Sequence, residues 1–588
     1  MVQPSATFSL LVIFSLIASI TAECTGHTPA FPSPDYGQKS FELLEAFNGI
    51  SNALTVLTAD QDYNASSYSI EITSADSTLW TTYHTAEAKN DSRPGAAEVN
   101  GQSTYRIASI TKSFTVLGLL YQDAAGNLSL EDTIGTYVSE LVRGHQQGSI
   151  PWKDITLRTL ASQLSGIPRD FAQGDMFNDF QDPIQYGFPP VSYTDLPLCD
   201  SFTNYTHPCT GKDLINWLRS ATGTPVFAPN QRSTYSNIAF ELLGLVLANV
   251  TGLSYEEYIQ TAILEPLNMI GTSFLKPADS VAVLPKGEQW YWDVDEGVQN
   301  PTGGLFATSS DMSSFLRYIL THFNGITPAL NWFQPASFAE GVHSFYGAPW
   351  EIFRTDKILT QPSSRRPVTF ITKGGGLPGY STNILLVPEY SLGITILTAG
   401  NPRLLSKVRE IVTTKLINAA DKFAERQACA RYAGTYSAPH INSTLEITLS
   451  PYRGLYVSHF LSNGTDTLSL FLDQVRERYS EDITLQLIPT LLYRDEEQKR
   501  GELFRAVFDF PPKPQGSSGV WDDFCTTDVS PLMYAGKSVG EVVFWDTDSS
   551  GQRYDRVELS AFRVSLDRVL DERDKDGGLA EPLLVQGL

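Results

Sequence analysis

The patterning of the chain changes near Cys429, and that change predicts a fold in two parts. From about Phe41 to Phe423 two periodicities alternate. Residues 43–57 (LLEAFNGISNALTVL) carry apolar side chains at helical spacing, and 404–424 returns to helix. Ser113–Tyr121 (SFTVLGLLY) and residues 237–250 (NIAFELLGLVLANV) are apolar almost all round and read as buried helices. Tyr68–Thr73 alternates and reads as a strand, as do a run near Leu79 and Thr369–Thr372. Ser381–Leu397 sets two apolar runs around Pro388-Glu389-Tyr390-Ser391, the pattern of a hairpin. Beyond Cys429 the runs are short: Leu445–Leu449, Leu468–Leu472, Ile483–Leu487, Leu503–Phe510 and Val542–Trp545. Gly, Asp, Asn or Ser separates them, which predicts an all-β barrel or sandwich. The 588 residues suffice for several domains and a sizeable core.

The first residues set the expected compartment. Phe8–Ile20 is an uncharged apolar run too short to span a bilayer, and small residues precede Glu23. Residues 1–22 therefore read as a secretory signal peptide, although the stretch before the run lacks Lys or Arg. No later run reaches transmembrane length without a charge, and the tail is too short and polar for a lipid-anchor signal. Seven Asn-x-Ser/Thr sequons, at Asn64, Asn90, Asn127, Asn204, Asn249, Asn442 and Asn463, fit a secreted eukaryotic glycoprotein. Asn249, at the end of an apolar helix, is the weakest of them. The five cysteines form no CxxC pair and no Cys/His ligand set, so no metal is expected. Cys199 and Cys209 flank a short loop and are expected to pair. Cys429 and Cys525 are expected to pair within the C-terminal part, which leaves Cys24 over. Lys and Arg number 42 against 65 Asp and Glu, a net charge of −23 that disfavours nucleic acid or an anionic membrane as a partner.

Three short motifs carry chemistry. Ser109-Ile110-Thr111-Lys112 opens the first buried helix and sets Lys112 one turn from Ser109 on the same face. Burial and the positive helix end disfavour the ammonium form, and a neutral amine can take a serine proton. Ser-x-x-Lys also arises by chance. A second copy, Ser273-Phe274-Leu275-Lys276, runs into Pro277 and opens no helix. Tyr235-Ser236-Asn237 begins the second buried helix and is the one Tyr-x-Asn among 26 tyrosines; alone it reads equally as a turn and helix cap. Lys373-Gly374-Gly375-Gly376 ends a β-run, where glycines let a substrate approach bare backbone; alone it reads as a hairpin turn. No GxxxxGK[ST] phosphate loop, GxSxG elbow or HExxH is present. Residues 170–210, rich in Pro, Asp, Phe and Tyr without a period, read as an insertion loop.

Taken together and in this order, the three motifs resemble those of the serine β-lactamase and penicillin-binding-protein superfamily. The likeness is greatest to its class C-like branch, which includes esterases and D-aminopeptidases. Leu157–Arg169 (LRTLASQLSGIPR), Thr302–Ser309 (TGGLFATS) and Gly376–Ser381 (GLPGYS) are similar to that branch as well, so the likeness spans roughly Ser40–Ala424. The resemblance implies a secreted, fungal-type member of α/β (α+β) class. Its β-lactamase/transpeptidase-like domain at 23–425 would pair an antiparallel sheet flanked by helices with an all-helical subdomain. A smaller barrel-like β-rich domain would follow at 426–588. By the same resemblance Ser109 is the acylated nucleophile, and Lys112 and Tyr235 share acid and base work. Asn237 contacts the substrate amide or carbonyl. Lys373 holds the Tyr235 network or a substrate carboxylate. Gly375 and Gly376 border the substrate, and the Ser109 and Gly376 N–H groups form the oxyanion hole. The implied function is an esterase-, amidase- or lactamase-type serine hydrolase that acts on a small-molecule or peptide substrate without a cofactor. An acyltransferase or tailoring enzyme of secondary metabolism, and a non-catalytic binding protein on the same fold, are the alternatives.

Protein made in a eukaryotic secretory host should lose mass on treatment with an N-glycosidase. An unchanged mass would remove both the sequon assignment and the secretory compartment.

Overall fold

The computed structural model describes residues 30–143, 150–172, 182–191, 199, 207–219, 225–361, 366–479, 483–509, 532–547 and 551–570. Residues 1–22, Cys24, Asn204, Cys525 and most of the 170–210 insertion lie outside these. Contacts divide the described residues into two compact units. One is built from 46–355 and 369–415, the other from residues up to 45, 356–368 and 416 onward.

The first unit is a sheet with helices. Its strands are β1 (Ser67–Ser74), β2 (Thr78–His84), β3 (Thr104–Arg106), β4 (Phe306–Thr308), β5 (Ser337–Phe338), β6 (Ser344–Tyr346), β7 (Glu351–Thr355), β8 (Val368–Leu377), β9 (Tyr380–Val387) and β10 (Leu392–Ala399). Eight of them form one sheet in the order β2-β1-β10-β9-β8-β7-β6-β5, and β3 pairs with β4 apart from it. The β9–β10 hairpin pairs Val387 with Leu392 across the turn expected at Pro388–Ser391. The longer helices are α1 (Phe41–Thr58), α2 (Thr111–Ala124), α3 (Ile238–Thr251), α4 (Ser309–His322) and α5 (Arg403–Tyr432). The first ten residues of α2 are all buried, and α3 packs against it, as all-round apolar helices must. With the short helical segments around them they share one continuous hydrophobic core.

Helix α4 lies across β1 and β10. Its start is fixed by Glu71 of β1, which is 2 % exposed. The Glu71 carboxylate accepts hydrogen bonds from the hydroxyls of Ser309 (2.8 Å), Ser310 (2.9 Å), Ser313 (3.0 Å) and Tyr83 (3.2 Å). A buried carboxylate persists only with such donors. The Asn249 side chain, doubtful as a sequon, is exposed at the end of α3.

The second unit is a closed β-barrel. Its strands are β11 (Gly434–Ala438), β12 (Ser443–Ser450), β13 (Gly454–Ser462), β14 (Thr465–Asp466), β15 (Thr484–Asp495), β16 (Arg500–Asp509), β17 (Met533–Tyr534), β18 (Lys537–Ser538), β19 (Glu541–Thr547), β20 (Tyr554–Leu559) and β21 (Val564–Arg568). The order β12-β11-β21-β20-β19-β16-β15-β13 is closed by pairing of β12 with β13. Tyr432, Phe504, Phe544 and Tyr554 pack together, and Glu502 accepts hydrogen bonds from both tyrosine hydroxyls. Residue 425, the boundary expected from sequence, lies inside α5, which runs unbroken from 403 to 432.

Two expectations are corrected. Leu468–Leu472 is not a strand but part of helix α6 (Thr467–Tyr479): Leu468 and Leu472 are buried and Leu470 is exposed, which is helical spacing. Cys429 carries a free thiol on α5, so the Cys429–Cys525 bridge is not formed. The thiol is half-buried beside Glu425, and burial pushes its pKa up. Cys199 and Cys209 are bridged, with Cα atoms 4.9 Å apart.

Glu71→Ala leaves three serine hydroxyls and a tyrosine unpaired at the sheet. It should lower unfolding stability by about 2–4 kcal/mol in denaturant titration.

Candidate active site

Chain leaving β3 reaches Ser109 through a strained turn. Ala108 adopts φ +51°, the left-handed region that costs a non-glycine residue about 1–2 kcal/mol. Ala108–Ile110 form one 3₁₀ turn that runs directly into α2 at Thr111. This places Ser109 at the helix mouth and Lys112 in its first turn. Lys112 is fully buried, and its Nζ lies 2.9 Å from Ser109 Oγ and 2.9 Å from the Thr302 carbonyl oxygen.

Tyr235 stands over this pair. Lys112 Nζ lies 5.2 Å and Lys373 Nζ 5.3 Å from its ring centre, and the Arg169 guanidinium carbon lies 4.8 Å from it. The Tyr235 phenol is electrostatically coupled to Lys112 and Lys373. Ser109, Lys112, Tyr235 and Lys373 thus lie in one neighbourhood.

The two lysines are shifted in opposite directions. Burial drives Lys112 down to about 8, against the pull of the Tyr235 phenol and with a push from the Lys373 ammonium. Burial also works against Lys373, but Glu351 and Tyr235 outweigh it and its pKa is raised. Lys373 Nζ donates to Glu351 Oε1 at 2.6 Å and to the Gly374 carbonyl at 2.9 Å, and Glu351 Oε2 accepts from the Gly374 N–H at 2.9 Å. Burial favours neutral Tyr235, but Lys112 and Lys373 overcome it and bring the phenol down to about 8.

Ser109, Asp170, Asn237, Glu296, Thr302 and Gly376 line a cleft of about 210 Å³. Asn237 begins α3, and its Nδ2 donates to Asp170 Oδ1 while its own Oδ1 is buried without a partner. Gly375 plays a different part from Gly376. A Cβ at Gly375 would lie 2.3 Å from the Ile107 carbonyl oxygen and 3.0 Å from Ala108 Cβ, so its bareness lets β8 pack under the Ser109 turn. A Cβ at Gly376 would meet nothing within 4 Å. Strand alternation turns the Gly376 N–H off the same edge of β8 as that of Gly374, away from β9. The second Ser-x-x-Lys takes no part: Lys276 Nζ pairs with Asp293 at 2.8 Å.

Sequence reading missed Glu351, Asp170 and Glu296, each an isolated acid with no motif around it. The Thr302 carbonyl had a signal, since Thr302 starts one of the family-like stretches.

The chain matches two family models: Beta-lactamase over residues 55–416, and Beta-lactamase-like-like, C-terminal domain, over residues 424–570. It is 32% identical to "Probable hydrolase M10" of Phoma sp., over 94% of this chain and 92% of that protein. It is likewise 32% identical to "Probable hydrolase clz13" of Cochliobolus lunatus, over 97% and 96%. Among solved structures it is similar to the octameric penicillin-binding protein homologue from Pyrococcus abyssi, with 17% identity, a TM-score of 0.47, and 88% and 99% coverage.

Gly375→Ala should force β8 away from the Ser109 turn. It should cost about 1–3 kcal/mol in stability and abolish turnover. Gly376→Ala should leave the unfolding midpoint unchanged, and thermal unfolding of the two variants side by side checks the contrast.

Proposed function

Since the chain belongs to the β-lactamase-like hydrolase family within the serine β-lactamase and penicillin-binding-protein superfamily, we propose that it is a secreted serine hydrolase. It cleaves an ester, amide or lactam bond through an acyl-Ser109 intermediate. The observation that carries this reading is the buried Lys112 amine, depressed to about 8, within 2.9 Å of Ser109 Oγ. In its neutral form Lys112 donates to the Thr302 carbonyl and keeps a lone pair for the serine proton.

The steps follow from the geometry. Ser109 Oγ attacks the substrate carbonyl carbon, and its proton passes to Lys112 or to a Tyr235 phenolate. The oxygen of the tetrahedral intermediate is met by the backbone N–H groups of Ser109 and Gly376, and one such donor is typically worth about 10²–10³ in rate. Collapse breaks the bond to the leaving group, which takes a proton from Tyr235. Water, deprotonated by the Tyr235–Lys112 pair, then attacks the acyl-serine carbonyl and regenerates Ser109. Glu351 keeps Lys373 charged, and that charge holds the phenol acidic enough for both transfers. Asn237 orients the acyl group from the cleft wall.

Ser109 should be labelled by a fluorophosphonate, as read by peptide mass spectrometry; a protein that turns over substrate with Ser109 unlabelled would refute the assignment. Lys112→Arg should be nearly as damaging as Lys112→Ala, because a guanidinium stays protonated. Ser109→Ala with Lys112→Ala should cost little more than Ser109→Ala alone.

The pH dependence has a definite sign. Acylation needs one deprotonated group in the Lys112–Tyr235 pair, and both are held at about 8. The acylation rate should therefore rise with pH and level off above about 8. A profile that falls through this range would overturn the base assignment.

A further inference from the structure

The cleft beside Ser109 presents acceptors to a substrate, while its cations are already engaged. Lys373 is 1 % exposed. Two of the three N–H bonds of the Lys373 ammonium are taken by Glu351 Oε1 and the Gly374 carbonyl, and its charge is coupled to the Tyr235 phenol. Arg106, also buried, donates to the carbonyls of Tyr291 and Val294 and lies 3.8 Å from Glu296. Arg169 packs on the Tyr235 ring and pairs with Asp170 at 3.1 Å.

The opposite polarity faces the cavity. Asp170 and Glu296 both line it. Asn237 is locked by its bond to Asp170, which uses its Nδ2 and leaves Oδ1 as the outstanding group. That Oδ1 is buried with no donor in reach. Buried acceptors without donors are rare, and one in the wall of a cleft marks where a ligand N–H or O–H belongs.

We propose that the group flanking the scissile carbonyl in this cleft is a hydrogen-bond donor without negative charge, an ammonium or a hydroxyl, and that a carboxylate is rejected there. Asn237 Oδ1 accepts the donor, and the Asp170 carboxylate beside it disfavours an anion. Lys373 then acts only on Tyr235 and binds no substrate carboxylate. This inference rests on the acyl-Ser109 reading and narrows its substrate class.

The test is the rate of Ser109 labelling by four matched short-chain alkyl fluorophosphonates that end in ammonium, hydroxyl, methyl or carboxylate. The full chain is used, and labelling is followed by peptide mass spectrometry. The expected order is ammonium and hydroxyl faster than methyl, with carboxylate slowest, and roughly tenfold or more between donor and carboxylate probes. Equal rates, or a carboxylate probe faster than the methyl one, overturn the inference and leave the acyl-serine reading standing. Labelling by none of the four overturns both. Asp170→Asn should speed the carboxylate probe relative to the methyl probe by roughly threefold or more, a gain that misfolding does not produce. An unchanged ratio overturns the part assigned to Asp170.

Discussion

The site depends on one lysine kept out of water with no carboxylate bonded to it. Among the described residues Lys112 makes no ion pair; it bonds to a serine hydroxyl and a backbone carbonyl, and it lies 5.2 Å from the Tyr235 ring centre. Burial is the largest influence on the amine and prevails over the opposing pull of Tyr235 and Glu351. A buried ammonium costs more than a buried amine, and the fold therefore brings the form that can serve as base within reach near pH 8. The apolar residues around α2 and α3, which read in sequence as core, are the cause of the chemistry as well as of the packing.

Backbone does the rest of the positioning. The left-handed turn at Ala108 lifts Ser109 clear of the helix, and it is held from below by β8, which comes close because Gly375 has no side chain. Thr382 Oγ1 ties the same place by donating to the Ile107 carbonyl at 2.9 Å. Strain at a nucleophile persists only when its surroundings over-determine it, and here a strand, a hydroxyl and a helix start all converge on three residues.

Elements with strong, uniform periodicity were legible in the sequence. The buried helices, the β9–β10 hairpin and the barrel character of the C-terminal region follow from apolar spacing and from turn residues. Leu468–Leu472 was misread because a five-residue apolar run does not distinguish period 2 from period 3.6; its register became visible only against the barrel. The Cys429–Cys525 pairing rested on shared neighbourhood in sequence, whereas pairing needs Cβ vectors that face each other. Ser109, Lys112, Tyr235 and Lys373 were legible because their chemistry needs fixed local spacings. Glu351 was not, since its partner lies 22 residues away across a sheet pairing that no local pattern encodes.

The acids around the site separate the two lysines. Glu351 is part-exposed and bonded to Lys373, and it keeps that lysine charged. Glu241, one turn into α3 from Asn237, is fully buried, and neither of its oxygens has a partner. Burial pushes its carboxyl well up, Asp170 and Glu296 add to that push, and Lys112 opposes it. A neutral Glu241 brings no anion to Lys112. Were it ionised, its charge in this low-dielectric interior would pull the Lys112 proton back on and remove the base. The same residue type thus does opposite work at two depths. At the surface of the cleft a carboxylate fixes the cation that acidifies Tyr235, and in the interior a carboxylic acid adds no anion to oppose the burial that depresses Lys112.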